Sequence, residues 1–283
     1  ELTRRRMAAR LLDGGQRSTT PAWAGLAALL NCTDAEFRAL AEPLGQMTSL
    51  AYTATHGSYF NSSTVNSTVD SWVRGLTANP PGGGMRALLF LQPRTQRGVV
   101  AFRGTDLDRH AASGQADACA DHFLFNESGA LPEFCAQFDA ATLDYFARAL
   151  EFVAEVRAAH PNLDLLFTGH SLGAGLAMMM SVAAPASQPG VPAAEVKWPV
   201  VGFGTPAWLQ PLLRRTGLSP GAAAARPLFA IADAYDPVEA VAVRDHGLMG
   251  AVCRWGMDKP PSAACGPCFA SLQGGGTGSA AAC

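Results

Sequence analysis

Five short apolar runs divide the middle of the chain, at residues 85–91, 98–102, 163–168, 200–203 and 228–232. Each run is four to seven residues long and is followed by polar or turn-forming residues. Runs of this length that are rich in Val, Leu, Ile and Phe are typical of buried strands. The pattern therefore predicts at least five strands.

Two segments between these runs have the pattern of helices. Apolar residues recur every three or four positions from Leu143 to Val153, which predicts a helix with Asp139 as its N-cap and Pro161 as its end. Small and apolar residues fill positions 176–184, which predicts a second, buried helix. Strands that alternate with helices predict an α/β fold with a mostly parallel central sheet and helices on both faces.

We expect residues 1–283 to form a single domain. Residues 1–84 are polar and rich in turns, and we interpret them as an N-terminal segment that covers the sheet. Residues 106–137 are polar, contain two cysteines and form a lid-like insertion in this interpretation. Residues 259–283 are rich in Pro, Gly and Ala, which predicts a loosely ordered tail.

Composition and charge exclude several classes of protein. Hydrophobic residues make up 48% of the 283 residues, charged residues 16%, and the formal net charge is −2. This composition is that of a folded protein, and the small net charge argues against a nucleic-acid partner. Because no apolar run reaches 18 residues, we expect no transmembrane segment. Nothing in the sequence indicates an oligomeric state.

Asparagine usage points to a secretory pathway. Four of the six Asn lie in N-x-[ST] sequons, namely Asn31, Asn61, Asn66 and Asn126. The content of Ser and Thr predicts roughly 0.7 sequons by chance for six Asn. We therefore predict N-glycosylation and a secreted or lumenal location; an accidental excess of sequons is the alternative.

The seven cysteines agree with an oxidising compartment. We expect Cys119 and Cys135 to pair, because closing that loop stabilises the fold by about 3 kcal/mol in the chain-entropy model. Cys265 and Cys268 form a C-G-P-C sequence like that of thiol oxidoreductases. Since it lies in the Pro- and Gly-rich tail, we favour a structural bridge over a redox site, which would open a helix.

The candidate chemistry centres on Gly169-His170-Ser171-Leu172-Gly173. This G-x-S-x-G sequence follows a predicted strand and precedes a predicted helix, as a nucleophile elbow requires. Glycines on both sides give room for a tight turn that exposes the serine hydroxyl. The pattern predicts that Ser171 is a nucleophile; a glycine-rich turn without chemistry is the alternative.

A serine nucleophile needs a base and an acid, which follow it along the chain in this type of site. His246 is the only histidine well beyond Ser171, so chain order selects it as the base, with a plain surface histidine as the alternative. We expect His170 to pack against the sheet. Asp236 and Asp233 both follow the strand at 228–232, and we favour Asp236 because it lies clear of the strand.

The oxyanion of an acyl-transfer reaction needs hydrogen-bond donors. One is the backbone N–H of Leu172, the residue after the nucleophile. Thr105 lies behind Arg103 and Gly104 at the end of an earlier predicted strand and offers both an N–H and a hydroxyl. An ordinary turn is the alternative interpretation of residues 103–105.

Four segments together resemble the fungal-lipase-like (class 3) branch of the α/β-hydrolases. The resemblance covers residues 85–250 and lies in V-V-A-F-R-G-T at 99–105, T-G-H-S-L-G-A-G-L-A at 168–177, G-F-G-T-P at 202–206 and D-P-V at 236–238. It implies an α/β-hydrolase domain with lipase or related carboxylesterase activity. It also implies that Thr105 is the oxyanion residue and Asp236 the acid of the triad.

The sequence departs from this family in two places. Asp236 and His246 are only ten residues apart, where the family has several dozen. The segment at 106–137 lacks the Trp of the family's lid helix, and Asp121 is the candidate for the family's Asp. The apolar residues 123–125 are either the tip of a lid or part of the core.

These observations predict a secreted serine ester hydrolase that acts on an acyl-ester lipid with a Ser-His-Asp triad, a triacylglycerol lipase or a related lipid carboxylesterase. They imply no cofactor and no metal, and a transient contact with a lipid interface. A carboxylesterase for non-lipid esters is one alternative. A catalytically inactive binding protein with the same fold is the other, and the short spacing from acid to His favours it.

Overall fold

A computed structural model describes residues 35–53, 72–80, 83–92, 94–108, 110–126, 130–187, 198–224, 226, 228–233 and 251–255. Within these residues the chain forms seven strands and seven α-helices. The strands are β1 (Val73–Ala78), β2 (Ala87–Gln92), β3 (Arg97–Phe102), β4 (Asp164–His170), β5 (Val200–Phe203), β6 (Leu228–Asp233) and β7 (Ala251–Trp255). The helices are α1 (Ala35–Thr53), α2 (Ala112–Phe125), α3 (Ala140–Leu143), α4 (Tyr145–Ala159), α5 (Leu172–Ala183), α6 (Leu209–Thr216) and α7 (Pro220–Ala224). Short 3-10 helices lie at Glu133–Gln137 and Ala184–Ser187.

The strands form one sheet in the order β1-β2-β3-β4-β5-β6-β7. Strands β1, β2 and β3 pair antiparallel, and β3 to β7 pair parallel. The predicted mostly parallel sheet is therefore confirmed. Because the carboxyl ends of parallel strands meet at one edge, the residues that follow β3 and β4 come together there.

Helices cover both faces of this sheet, as the sequence predicted. On one face, Leu44 and Met47 of α1 pack with Phe90, Val99 and Leu166 of the strands. On the other face, buried residues of α4 and α5 pack against the alternate residues of the same strands. Helix α1 and strand β1 both lie within the segment at 1–84 that we expected to be turn-rich. Buried apolar residues of α1 cover part of one face, and β1 is an edge strand of the sheet itself. The single-domain organisation of the whole chain stays a prediction.

The predicted helix after Asp139 is in fact two helices. The carboxylate of Asp139 accepts the N–H of Thr142 at 2.7 Å and caps α3, as predicted. Helix α3 ends at Leu143, and the backbone angles of the next residue, Asp144, are not helical (φ −77°, ψ 71°). The carboxylate of Asp144 accepts the N–H of Ala147 at 3.1 Å and caps α4. A second capping residue five positions after the first therefore interrupts the apolar repeat.

The segment at 106–137 folds onto the body of the protein. It contains α2 and the first 3-10 helix, and the predicted disulfide between Cys119 and Cys135 joins them. Leu124 is buried in the main core, while Phe123 and Phe125 are half-buried against core residues. Residues 123–125 thus belong to the core in this structure. No helix in the described part of the chain is long and apolar enough to cross a membrane.

Candidate active site

Ser171 lies on a tight turn between strand β4 and helix α5. Its backbone angles are φ 54° and ψ −126°, a region that residues other than Gly rarely adopt. The Ser171 N–H donates to the carbonyl oxygen of Phe203 at 3.0 Å, which ties the turn to the end of β5. A strained non-glycine residue held in place by its surroundings is typical of a functional position.

The two glycines that flank Ser171 allow the turn to pack closely. A Cβ on Gly169 would lie 2.4 Å from the carbonyl carbon and oxygen of Gly173. A Cβ on Gly173 would lie 2.2 Å from the carbonyl oxygen of Phe102, at the end of β3. The prediction that these glycines give room for a tight turn is therefore confirmed. Gly173 also lets the turn pack against the start of the loop that carries Thr105.

Leu172 is the first residue of α5 and is buried. The first N–H groups of a helix have no partner within it, and the N-terminus carries partial positive charge. The Leu172 N–H is therefore suited to bind a developing negative charge next to Ser171.

Ser171 and Thr105 line the same cavity, which has a volume of about 470 Å³. The wall of this cavity also includes Asp121, His122 and Phe125 from helix α2. The hydroxyl of Thr105 donates to Oδ2 of Asp121 at 2.7 Å. Asp121, the candidate from the sequence for the family's lid Asp, is thus the partner of the candidate oxyanion residue.

The carboxyl group of Asp121 is electrostatically unusual. Burial raises the pKa of Asp121 to about 7, and the negative charge of Asp117 adds to the rise, while the hydrogen bond from Thr105 opposes it. The group therefore titrates in the neutral range beside the candidate oxyanion site.

A buried network lies beneath the loop that carries Thr105. The guanidinium of Arg103 forms an ion pair with the carboxylate of Asp117, and both side chains are buried. The hydroxyl of Tyr145 donates to Oδ1 of Asp117 at 2.6 Å, and the Asp106 N–H donates to Oδ2 at 2.8 Å. Asp117 thereby joins α2, α4 and the loop at 103–106. No spacing in the sequence links these residues, so the sequence analysis missed the network.

Tyr52 of helix α1 contacts the elbow from the other face of the sheet. Its hydroxyl lies 2.7 Å from Nδ1 of His170. A Cβ on Gly104 would lie 2.1 Å from the Tyr52 hydroxyl oxygen and 2.4 Å from the carbonyl oxygen of His170. Burial raises the pKa of Tyr52, so this hydroxyl stays protonated at neutral pH. Only glycine fits between the oxyanion loop and this pair.

The expectation that His170 packs against the sheet is wrong. His170 is exposed and its ring contacts Tyr52 rather than the core. It is the last residue of β4, where the continuous run of buried positions ends at the edge of the sheet.

Residues 99–226 of the chain match the family model of the class 3 lipases. This match includes Thr105, Ser171 and Leu172 together with the network beneath them. Residues 99–226 belong to the class 3 lipase family. The match confirms the resemblance drawn from the sequence motifs, and with the seven-stranded sheet it confirms the α/β-hydrolase fold. This lipase is a carboxylic ester hydrolase. None of the curated proteins compared with the chain matches it.

Solved structures of fungal lipases are also similar to this lipase. Lipase II from Rhizopus niveus is 17% identical, with 74% of each chain covered and a TM-score of 0.43. The lipase from Rhizopus microsporus var. chinensis is 16% identical over 74% of this chain and 70% of that one, with a TM-score of 0.46. Lip2 from Yarrowia lipolytica is 16% identical over 80% of each chain, with a TM-score of 0.45. At these scores the assignment depends on the family match alone.

The two other predicted members of the triad, Asp236 and His246, lie outside the described residues of the lipase. So do the sequon residues Asn31, Asn61 and Asn66, the pair Cys265 and Cys268, and the tail at 259–283. Strand β6 ends three residues before Asp236, at Asp233, and β7 begins five residues after His246. The roles of Asp236 and His246 stay predictions.

Asn126, the remaining sequon residue, caps the end of α2 and is partly buried. Its Nδ2 donates to the carbonyl oxygen of Ala130 at 3.1 Å. Its side chain belongs to the wall of the cavity that contains Ser171. In the described part of the lipase, no group of three or more His, Cys, Asp or Glu side chains is arranged to hold a metal ion.

Proposed function

We propose that this protein is a secreted lipase that hydrolyses triacylglycerols or related lipid esters with a Ser-His-Asp triad. Ser171 is the nucleophile, His246 the base and Asp236 the acid. The observation that carries the proposal is the strained turn at Ser171, which opens into the same cavity as Thr105.

The reaction follows from these roles. The Ser171 hydroxyl oxygen attacks the ester carbonyl carbon while His246 accepts the hydroxyl proton. The tetrahedral intermediate collapses, and the imidazolium gives its proton to the leaving alcohol. Water then attacks the acyl-enzyme with the same base and releases the carboxylic acid and free Ser171. Asp236 orients the imidazole and stabilises its charged form.

Preorganised hydrogen-bond donors bind the negative oxygen of the tetrahedral intermediate. The N–H groups of Leu172 and Thr105 supply two donors, and the N-terminus of α5 adds its partial positive charge. The contacts of Gly104 with Tyr52 and His170 and of Gly173 with β3 support this assignment, because they hold the two donor segments against each other.

The surroundings of the cavity support a lipid substrate. Leu107 belongs to the wall of the cavity and is 81% exposed, and Phe125 adds an aromatic surface. An exposed leucine at the entrance to a site suits a transient contact with a lipid interface.

A carboxylesterase for soluble esters is the second candidate, and Asn126 favours it. A glycan on this cavity-wall residue would keep a lipid surface away from Ser171 while admitting small esters. A secretory location is supported by the four sequons and by the disulfide between Cys119 and Cys135.

Site-directed variants test the proposal. Ser171→Ala, His246→Ala and Asp236→Ala are compared with the wild type on a triolein emulsion and on a soluble short-chain ester, with circular dichroism to check folding. We expect each variant to lose about 10³-fold or more in kcat for both substrates. His122→Ala is the matched control for His246→Ala, because it changes a histidine that lines the described cavity.

Three outcomes overturn parts of the proposal. Unchanged hydrolysis by Ser171→Ala refutes the nucleophile. Loss on His122→Ala with normal activity of His246→Ala refutes the assigned base. Activity of the wild type on the soluble ester without any on the emulsion selects the second candidate.

A further inference from the structure

The hydroxyl of Thr105 has a single hydrogen, and a charged Asp121 carboxylate accepts it. It is donated to Oδ2 of Asp121 at 2.7 Å. An ionised carboxylate only accepts hydrogen bonds, so it holds this hydrogen as long as Asp121 is charged. In that state Thr105 can offer the oxyanion its backbone N–H but not its hydroxyl.

Among the described residues, Asp121 forms no ion pair that would keep it charged. The nearby guanidinium of Arg103 is paired with Asp117 and Asp106. Among the described residues, those whose charges interact with Asp121 are Asp117 on its own helix, Tyr52 on α1 and Tyr145 on α4. Burial raises the pKa of both tyrosines, so they stay neutral. The surroundings therefore disfavour the carboxylate.

We propose that Asp121 is a positioning residue whose protonation decides how many hydrogen-bond donors Thr105 presents to the oxyanion. When Asp121 takes up one proton, its carboxyl O–H donates to Oγ1 of Thr105. The hydroxyl hydrogen of Thr105 is then free to turn toward the negative oxygen beside Ser171. When Asp121 loses that proton, the hydroxyl hydrogen returns to the carboxylate. The inference rests on the proposed function, since it concerns the oxyanion formed on attack by Ser171.

The sign of the pH effect follows from this exchange. Burial raises the pKa of Asp121 to about 7. The additional donor is therefore present below neutral pH and is lost as the pH rises through this range. The base works in the opposite direction, since an imidazole must be neutral to accept the serine proton. As the pH increases, the loss of the proton from Asp121 therefore lowers kcat, while the loss of the proton from the base raises it.

The test measures kcat on a soluble ester from pH 5.5 to 9 for the wild type and for Thr105→Val, which keeps the backbone N–H and removes the hydroxyl. The ratio of the two kcat values cancels the titration of the base, because both enzymes share it. We expect the ratio to be about 10 to 100 at the acidic end and to approach 1 at the alkaline end, since one oxyanion donor is worth up to about 100-fold or more in kcat.

Asp121→Asn provides the matched control, because the amide keeps the shape of the carboxyl group and does not titrate. We expect the ratio between Asp121→Asn and the double variant with Thr105→Val to be independent of pH. Asp121→Glu, which still titrates, should restore a dependence on pH. If Thr105→Val does not fold, the kcat of the wild type is divided by that of Asp121→Asn at each pH. This ratio should show the same step.

Two results overturn the inference: a wild-type to Thr105→Val ratio that does not change with pH, or a step that persists in Asp121→Asn. Failure of the proposed function is recognised separately, as an absence of wild-type activity or as activity that survives in Ser171→Ala.

Discussion

Arg103 and Asp117 form a buried ion pair directly beneath the loop that carries Thr105. Asp117 also accepts hydrogen bonds from the Tyr145 hydroxyl and the Asp106 N–H. Both oxygens of one carboxylate therefore have partners, and the loop after β3 is fixed to α2 and α4. The ion pair therefore holds Thr105 in position from beneath its loop.

Asp117→Asn should destabilise the protein strongly. The change leaves the Arg103 charge buried without its counterion, which costs about 3–5 kcal/mol. The measurement is the free energy of unfolding in urea. Glu155→Gln makes the same chemical change on the exposed surface of α4 and should alter stability by less than about 0.5 kcal/mol. Equal effects of the two substitutions would show that the ion pair contributes nothing.

Gly173→Ala should disrupt the elbow. The new methyl carbon would lie 2.2 Å from the carbonyl oxygen of Phe102, a backbone atom that can move only if β3 moves. We expect a lower melting temperature together with loss of ester hydrolysis. Gly221→Ala in α7 is the matched control. Its nearest neighbour would be 3.8 Å away, so it should be neutral or stabilise by about 0.5–1 kcal/mol. A Gly173→Ala variant as stable and active as the wild type would contradict the close packing.

Removal of the disulfide should lower stability without unfolding the protein at room temperature. The bond between Cys119 and Cys135 spans 16 residues, and the chain-entropy model assigns it about 3 kcal/mol. The variant with both cysteines changed to Ser should melt at a lower temperature than the wild type. Its melting temperature should also change less on addition of a reducing agent than that of the wild type. A wild-type melting curve unaffected by complete reduction would show that the bond adds no stability.

Expression in a eukaryotic secretory host tests the glycosylation prediction. We expect the purified protein to lose mass on treatment with an N-glycosidase and Asn126→Gln to lose one glycan. The same variant should gain activity on an emulsion relative to a soluble ester, because a glycan on the cavity wall hinders approach of a lipid surface. A wild-type mass equal to that of the bare polypeptide would refute the prediction for all four sequons.

The strands and the elbow could be predicted from the sequence because their signals are local. The run at 200–203 matches β5 residue for residue, and the turn at Ser171 lies where the glycines indicated. The break between α3 and α4 was missed, because Asp144 acts as a cap only by competing with a helical repeat that continues on both sides of it.

The network at the site could not be predicted, because its members meet only in the folded chain. Tyr52 and His170 are separated by 118 residues, and the Tyr145 hydroxyl reaches Asp117 across 28 residues. No periodicity or motif links such positions. The family resemblance suggested Asp121 only as the counterpart of the family's lid Asp, and its hydrogen bond with Thr105 is visible only in the folded chain.

Labelling with a fluorophosphonate is the most direct test of the role of Ser171 as an activated nucleophile. The wild type is treated with the reagent and digested, and the modified peptide is identified by mass spectrometry. The account predicts a single adduct on Ser171 that is absent from Ser171→Ala and that forms much more slowly in His246→Ala. An unmodified Ser171, or an adduct on another residue, would contradict it.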